Sequence, residues 1–215
     1  MRAALFDLDR TLVRKETATL YVRWQREVGQ ATTRDLARVM FWVAQYTLGI
    51  LDAPAVAGRA VATLRGKPEQ EMIDECESWF RSHVLPHVAY EGRRAVERHK
   101  TAGDLVAIVT GATPYVARPL ARMLGIDHVV ASELEVVDGR FTGRPVEPLC
   151  YGEGKVVRAE RLAREHGFAL DEAVFYTDSL TDLPLLLRVG DRVVVNPDPR
   201  LRRIARRRAW RIEAW

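Results

Sequence analysis

The chain has 215 residues, 33 Lys and Arg against 29 Asp and Glu, and a formal net charge of +4. That length supports one well-buried core and a small second lobe, and 47% hydrophobic with 29% charged residues excludes a disordered or fibrous chain. Its two cysteines, Cys76 and Cys150, lie far apart without metal-ligand spacing, which points away from a disulfide-stapled secreted domain and toward a reducing cytoplasm.

Ala3-Ala4-Leu5-Phe6 is a short apolar run that reads as a buried strand, and it delivers Asp7 and Asp9. It starts too early to leave room for a signal peptide. Side chains two apart on a strand share a side, so both carboxylates emerge together where the strand leaves its sheet. Like charges that close in a crevice cost stability unless offset, which suggests a divalent metal or an acid/base pair. From Thr17 to about His87 the pattern is helical: Thr19–Val28, Thr33–Leu48, Ala53–Leu64 and Pro68–Ser82, with Gly29, Gly49 and Gly66 as stops. Within it Val39 to Leu48 is strongly apolar, too short to span a bilayer, and expected to pack among the helices.

Tyr90-Glu91-Gly92 opens a helix ending near Thr101, and Asp104 to Val109 is a second apolar strand. It runs into Thr110-Gly111, a hydroxyl and a flexible backbone suited to face a phosphate. Glu133–Val137 and Arg140–Thr142 flank Asp138-Gly139, a strong two-residue hairpin signal. Lys155, in Gly152-Glu153-Gly154-Lys155, stands at the start of a helix from Val156 to about His166. A third strand, Ala173 to Thr177, ends in Asp178-Ser179-Leu180-Thr181-Asp182. In an open parallel α/β sheet ligands bind beyond the carboxyl ends of the strands, so these sets are expected to converge on one crevice. At the C-terminal side Arg200, Arg202, Arg203, Arg206, Arg207, Arg208 and Arg211 crowd together, with Leu201, Ile204 and Ala205 at helical spacing between them. Trp210, Ile212 and Trp215 then form a closing strand or tail.

Taken together, Asp7-x-Asp9-x-Thr11, Thr110-Gly111, Lys155 and Asp178-x-x-x-Asp182 resemble the four motifs of the haloacid dehalogenase-like hydrolases, in their phosphoserine-phosphatase-like branch. The likeness covers nearly the whole chain. It implies a doubly wound, Rossmann-like parallel α/β core of residues 1–15 and 88–215, an inserted helical cap of residues 16–87 and a small β-hairpin flap beside the sheet. It also implies Mg²⁺-dependent hydrolysis of a small phosphate monoester through an aspartyl-phosphate. Asp7 would be the nucleophile and Asp9 the general acid and base, while Thr110, Gly111 and Lys155 hold the phosphate. Asp7, Asp9 and Asp178 would ligate the metal, with Thr11, Thr181 and Asp182 in support. Mg²⁺ suits an all-oxygen site with few protein ligands and several waters.

At the offset of Glu16 the branch carries a glutamate for a substrate amine, and close to Arg59 an arginine for a substrate carboxylate. An amino-bearing substrate of the phosphoserine or histidinol phosphate type follows. Thr177 and Thr181 stand where the family usually has Gly and Asn, which leaves phosphoryl chemistry intact and opens the choice of substrate. Transfer to an acceptor other than water, or a lipid-like or choline-type phosphate, would use the same catalytic residues. The reading of a different class is a basic module for nucleic acid or an anionic membrane surface, built on the arginine cluster and a sequence pI near 9.3. No base-stacking motif accompanies the charge, so a small-molecule ester rather than nucleic acid is the expected partner.

Overall fold

The computed structural model describes residues 2–47 and 60–215, with backbone alone at residue 35 and over 42–47. In chain order the strands are β1 (Ala3–Phe6), β2 (Leu105–Val109), β3 (His128–Val130), β4 (Leu134–Val137), β5 (Arg140–Pro145), β6 (Val174–Thr177), β7 (Asp191–Val195) and β8 (Arg211–Glu213). The described helices are α1 (Thr17–Glu27), α2 (Thr33–Thr47), α3 (Glu69–Trp79), α4 (Tyr90–Thr101), α5 (Pro114–Leu124), α6 (Glu153–His166), α7 (Leu183–Leu186) and α8 (Pro199–Arg207). Residues 60–62 are also helical; the expected helix over Ala53–Leu64 otherwise lies outside the described residues.

One sheet runs in the order β3-β2-β1-β6-β7-β8, and every neighbouring pair in it is parallel. The two-residue period of a strand divides its side chains between two layers. Phe6, Ile108, Tyr176 and Val195 pack with Val96 of α4 and Leu120 and Leu124 of α5. Leu5, Ala107, Phe175 and Val194 pack with Val156 and Leu162 of α6 and Leu201 and Ala205 of α8. Residues buried on both faces explain why these strands read as continuous apolar runs. The chain steps outward from β1 to β3, jumps back to β6 on the other side of β1, and steps outward again to β8. The strand order therefore reverses between β1 and β6, and that reversal is where such sheets bind ligands.

Several elements differ from expectation in detail. β1 ends at Phe6, so Asp7 and Asp9 sit on the turn beyond the strand and share an opening by turn geometry, not by strand alternation. α3 does not stop near Ser82: it passes into a π-helical stretch, Phe80–Val84, whose Phe80 and Val84, with Trp79, join the apolar cluster of Phe6, Leu8 and Ile108. The helical insertion thus ends inside the sheet's own core. In the apolar run from Val39, Met40 and Phe41 are 47% and 60% exposed, so they do not pack among the described helices; the side chains from Trp42 onward lie outside the description. The hairpin of β4 and β5 turns through Asp138 and Gly139 at φ 49° and 71°, as a type I′ turn requires. It is hydrogen-bonded to the start of α3, with Glu69 N–H donating to Gly139 O at 2.8 Å.

α8 carries Arg200, Arg202, Arg203, Arg206 and Arg207 on a solvated face opposite the buried Leu201 and Ala205. That is the amphipathic division its spacing predicts. Its N-cap is Asp198, whose Oδ1 accepts from Arg200 and Leu201 N–H at 2.8 and 3.0 Å.

The start of α6 depends on one glycine. A Cβ on Gly154 would stand 2.0 Å from the Leu149 carbonyl oxygen, so the helix can press against that backbone only without a side chain. Gly111 has no such constraint, its nearest contact being 3.5 Å. Gly154→Ala is therefore expected to destabilise the fold by about 1–3 kcal/mol or more, while Gly111→Ala changes stability little. Urea unfolding midpoints of the two variants test this, and equal midpoints would refute the close approach at Gly154.

Candidate active site

A cavity of about 340 Å³ opens at the carboxyl ends of the central strands, within the range of small-ligand sites. Asp7, Asp9, Glu16, Thr110, Gly111, Lys155 and Asp178 all line it. Thr11, Thr181 and Asp182 are not among its lining residues, and Arg59 lies outside the described residues. The lining also includes Arg10, Tyr21, Tyr151 and Asp198, which sequence reasoning did not single out.

Lys155 is the centre of the buried part. It sits in the first turn of α6, is 3% exposed, and puts Nζ 3.0 Å from Asp7 Oδ1 and 2.7 Å from Asp182 Oδ1. Its Nζ also lies 5.6 Å from the centre of the Phe175 ring. The other oxygen of Asp182 accepts from the Thr177 hydroxyl at 2.6 Å. Asp182 thus supports the cavity from behind, through Lys155. Asp7 is held at its own backbone by N–H donation to Tyr176 O at 2.8 Å, which continues the β1–β6 ladder one residue past the strand.

Asp9 has a double place. Its Oδ1 accepts from Thr17 N–H at 2.7 Å, so it caps the first turn of α1 from a distant segment. Glu16, the residue before α1, makes no capping bond of its own and lines the cavity instead. Asp178 faces Arg10, with Nε 3.4 Å from Oδ2. Its backbone carbonyl accepts from Asp198 N–H at 3.0 Å, and Asp198 Oδ2 accepts from Leu180 N–H at 2.7 Å. Asp198 therefore ties the loop after β6 to the head of α8. The Asp-Pro pair after an apolar run, a helix-start signature, was the signal for it. Thr110 Oγ1 accepts from Ala112 N–H at 3.1 Å. Thr11 is fully buried, and its hydroxyl has no hydrogen-bond partner among the described residues.

The electrostatics are those of crowded, desolvated acids. Burial, with Asp182 and Asp9 nearby, pushes the Asp7 carboxyl up to about 7 against the pull of Lys155. Burial, with Asp9 close, pushes Glu16 up to about 8. Asp9 is raised by burial in spite of its Thr17 hydrogen bonds, and Asp178 is raised well above the usual range by burial and by Asp7. Such a set is short of positive charge. Among the described residues no three Asp, Glu, His or Cys side chains already converge on one point. The donors present are the buried carboxylates Asp7 and Asp178 with neighbouring oxygens, a set that fits a hard divalent cation keeping several waters better than one needing a full protein cage.

A family model described as haloacid dehalogenase-like hydrolase matches residues 4–187. A phosphoserine phosphatase of Mycobacterium tuberculosis is 34% identical over 215 residues, covering 98% of this chain and 70% of that protein. A histidinol-phosphatase of Neisseria meningitidis is 29% identical over 213 residues, 96% of each. Among solved structures, a protein of unknown function from Bordetella pertussis superposes with a TM-score of 0.88 at 33% identity, covering 99% of this chain and 97% of that one. With Asp7, Asp9, Thr110, Gly111, Lys155 and Asp178 gathered in one cavity and these matches along its length, the chain belongs to the haloacid dehalogenase-like hydrolases, in the phosphoserine-phosphatase-like branch, and is a phosphoric monoester hydrolase.

Proposed function

We propose that the chain hydrolyses a small amino-bearing phosphate monoester, of the phosphoserine or histidinol phosphate type, through an aspartyl-phosphate on Asp7. The observation that carries this is the Asp7 carboxylate itself, beyond β1 at the strand-order reversal, 3.0 Å from Lys155 and in one cavity with Thr110 and Asp178. Unassisted hydrolysis of such esters is slow enough that a catalyst must supply about 20 kcal/mol or more. A covalent intermediate divides that barrier into two smaller ones.

In the first step an Asp7 oxygen attacks phosphorus as the ester P–O bond breaks, and Asp9 gives its proton to the departing alkoxide. In the second, water attacks the phosphorus, Asp9 takes the water proton, and Asp7 and inorganic phosphate are released. Asp9 is suited to this because burial keeps its carboxyl protonated above the usual range and the Thr17 N–H fixes its direction. Lys155 sets positive charge against the phosphoryl oxygens. The Thr110 hydroxyl, which accepts from Ala112 N–H, keeps its own hydrogen for one of them, beside the Gly111 backbone. Asp7, Asp178 and the backbone oxygen of Asp9, whose two carboxyl oxygens are committed to Thr17 and to the proton, would hold Mg²⁺, which would supply the charge that offsets repulsion between a carboxylate and a phosphate dianion. Thr11, Thr181 and Asp182 would support this set.

Residues 16–87 act in this reading as a cap over the core of 1–15 and 88–215, excluding water from the reaction. The tie between Asp9 and the first turn of α1 supports it, because cap and catalytic turn then move together. Glu16 is the candidate contact for a substrate ammonium, a reading supported by the phosphoserine and histidinol phosphatases among the relatives. Both cysteines are buried and free, which supports a cytoplasmic setting.

Asp7→Asn is expected to lower turnover of any phosphate ester by about a thousandfold or more with the circular dichroism spectrum unchanged; a folded variant keeping more than a few per cent of activity removes the covalent mechanism. Asp178→Ala is expected to weaken Mg²⁺ binding by at least about tenfold in calorimetry, and chelation should inactivate the native enzyme reversibly. Full activity after exhaustive chelation would contradict the metal assignment. Glu16→Gln is expected to raise KM for an amino-bearing phosphate by the roughly 1.5–3 kcal/mol of a charged hydrogen bond, leaving an aryl phosphate unchanged. Equal losses on both substrates would mean that Glu16 only shapes the start of α1.

A further inference from the structure

We infer that the protein carries a second anion site, at the end of the sheet opposite the catalytic cavity, built to take a small phosphate or phosphate-ester dianion. Val174, Asp191 and Arg211 are the first residues of β6, β7 and β8. These strands are parallel, so their amino ends lie together, away from the carboxyl ends that lead to Asp7 and Asp178. A cavity of about 670 Å³ opens there, within the range of small-ligand sites. Among the described residues it shares none of its lining with the catalytic cavity.

Four guanidinium groups line it from four segments: Arg2 before β1, Arg98 in the last turn of α4, Arg192 in β7 and Arg211 in β8. Only two of them are matched. Arg2 pairs with Asp191 and Arg211 with Glu213, whereas among the described residues Arg98 and Arg192 pair with no carboxylate. His99 adds no charge to the count, being committed to Asp104 at 2.6 Å and to the Tyr176 hydroxyl at 2.9 Å. The concavity therefore holds two uncompensated positive charges, the complement of a phosphate dianion. A helix C-terminus attracts basic side chains and accounts for Arg98, but not for Arg192, which stands on a strand.

Arg192 is also held in place before any ligand arrives. Its Nε donates to Leu186 O at 2.7 Å and its Nη1 to Gly190 O at 3.0 Å, while the guanidinium lies 5.8 Å from the centre of the Trp210 ring. These partners fix its direction and carry no countercharge. A guanidinium pinned in this way loses little further freedom when an anion binds, and its planar fork suits phosphate oxygens. Arg208 lies against the same indole, 5.6 Å from its centre. With two arginines on it, that ring is not open to stack a nucleobase, which favours a compact anion over nucleic acid.

The test is an amide proton–nitrogen NMR titration of the intact protein with inorganic phosphate and, separately, with phenylphosphonate, whose P–C bond a phosphatase does not hydrolyse. Sodium chloride at equal ionic strength is the blank. Saturable shifts are expected at the Trp210 indole N–H and at the amides of Asp191, Arg192 and Arg211, distinct from any at Thr110 and Gly111 in the catalytic cavity. Arg192→Gln should weaken the Kd read at Trp210 by about tenfold or more, the scale of a charge-assisted hydrogen bond. Arg98→Gln, at an exposed helix position, should weaken it several-fold and carries the test if Arg192→Gln does not fold. Both variants should keep kcat and KM for p-nitrophenyl phosphate within about twofold of wild type, since neither residue touches the catalytic cavity. Saturation by phosphate identifies free phosphate as a ligand, and saturation by phenylphosphonate alone identifies an ester; either supports the site. Shifts that grow linearly and equally with chloride, or that are confined to Thr110 and Gly111, would overturn it. An unchanged Kd in Arg98→Gln and in folded Arg192→Gln would do the same. Because binding is read at named amides, the result does not depend on phosphatase turnover.

Discussion

The Lys155 ammonium, buried between Asp7 and Asp182, is the contact on which the geometry of the site depends. Asp7 comes from the turn after β1, Asp182 from the short turn after β6, and Lys155 from the first turn of α6, so one charge binds three segments at the strand-order reversal. Desolvating a lysine is expensive, and only good geometry to its partners repays it. Here both carboxylates are within 3.0 Å, and the second oxygen of Asp182 is occupied by Thr177. Removing one partner from such a buried set costs about 3–5 kcal/mol, which is why the catalytic arrangement and the stability of this end of the sheet are not separable.

Around that contact, helix ends supply the rest of the order. The free N–H groups at the start of α1 find Asp9, and those at the start of α8 find Asp198, which also holds Leu180. Groups that would otherwise need solvent therefore position acids at the cavity. The acids are crowded enough that burial raises Asp7, Asp9, Glu16 and Asp178 together. Lys155 and Arg10 cannot neutralise four carboxyls, and the deficit is what a divalent cation would fill.

The sequence displayed those features whose cause is local. Apolar runs followed by Asp7, Thr110 and Asp178 mark strand ends whatever the packing, and the Asp138-Gly139 pair sets its own turn. The parallel order of the sheet followed because buried strands separated by helices leave few alternatives. The place of Arg10 on the cavity lining was not legible, because it goes with a left-handed backbone whose carbonyl accepts from Asn196 nearly two hundred residues away. Asp198 was not singled out, although its Asp-Pro pair carries a helix-start signal, and its second bond to Leu180 requires β7 and β6 to be neighbours. The end of α3 was misplaced for a similar reason: Trp79, Phe80 and Val84 extend the helix because they find partners in the sheet's core, which no helical period reveals.

Thr177 shows how a departure from the family pattern can leave the chemistry in place. A β-branched residue suits the end of a buried strand, and its hydroxyl donates to Asp182 while accepting from Ser179 N–H at 3.2 Å. The first bond turns the other Asp182 oxygen toward Lys155; the second closes the turn that carries Asp178. A hydroxyl at this position thus reinforces the support behind Asp7 and does not line the cavity. Thr177 acts behind Lys155, whereas Arg10, Glu16, Tyr21 and Tyr151 lie on the cavity lining itself. The two layers of the site are accordingly under different constraints, the inner one set by desolvated charge and the outer one open to the shape and charge of the ester.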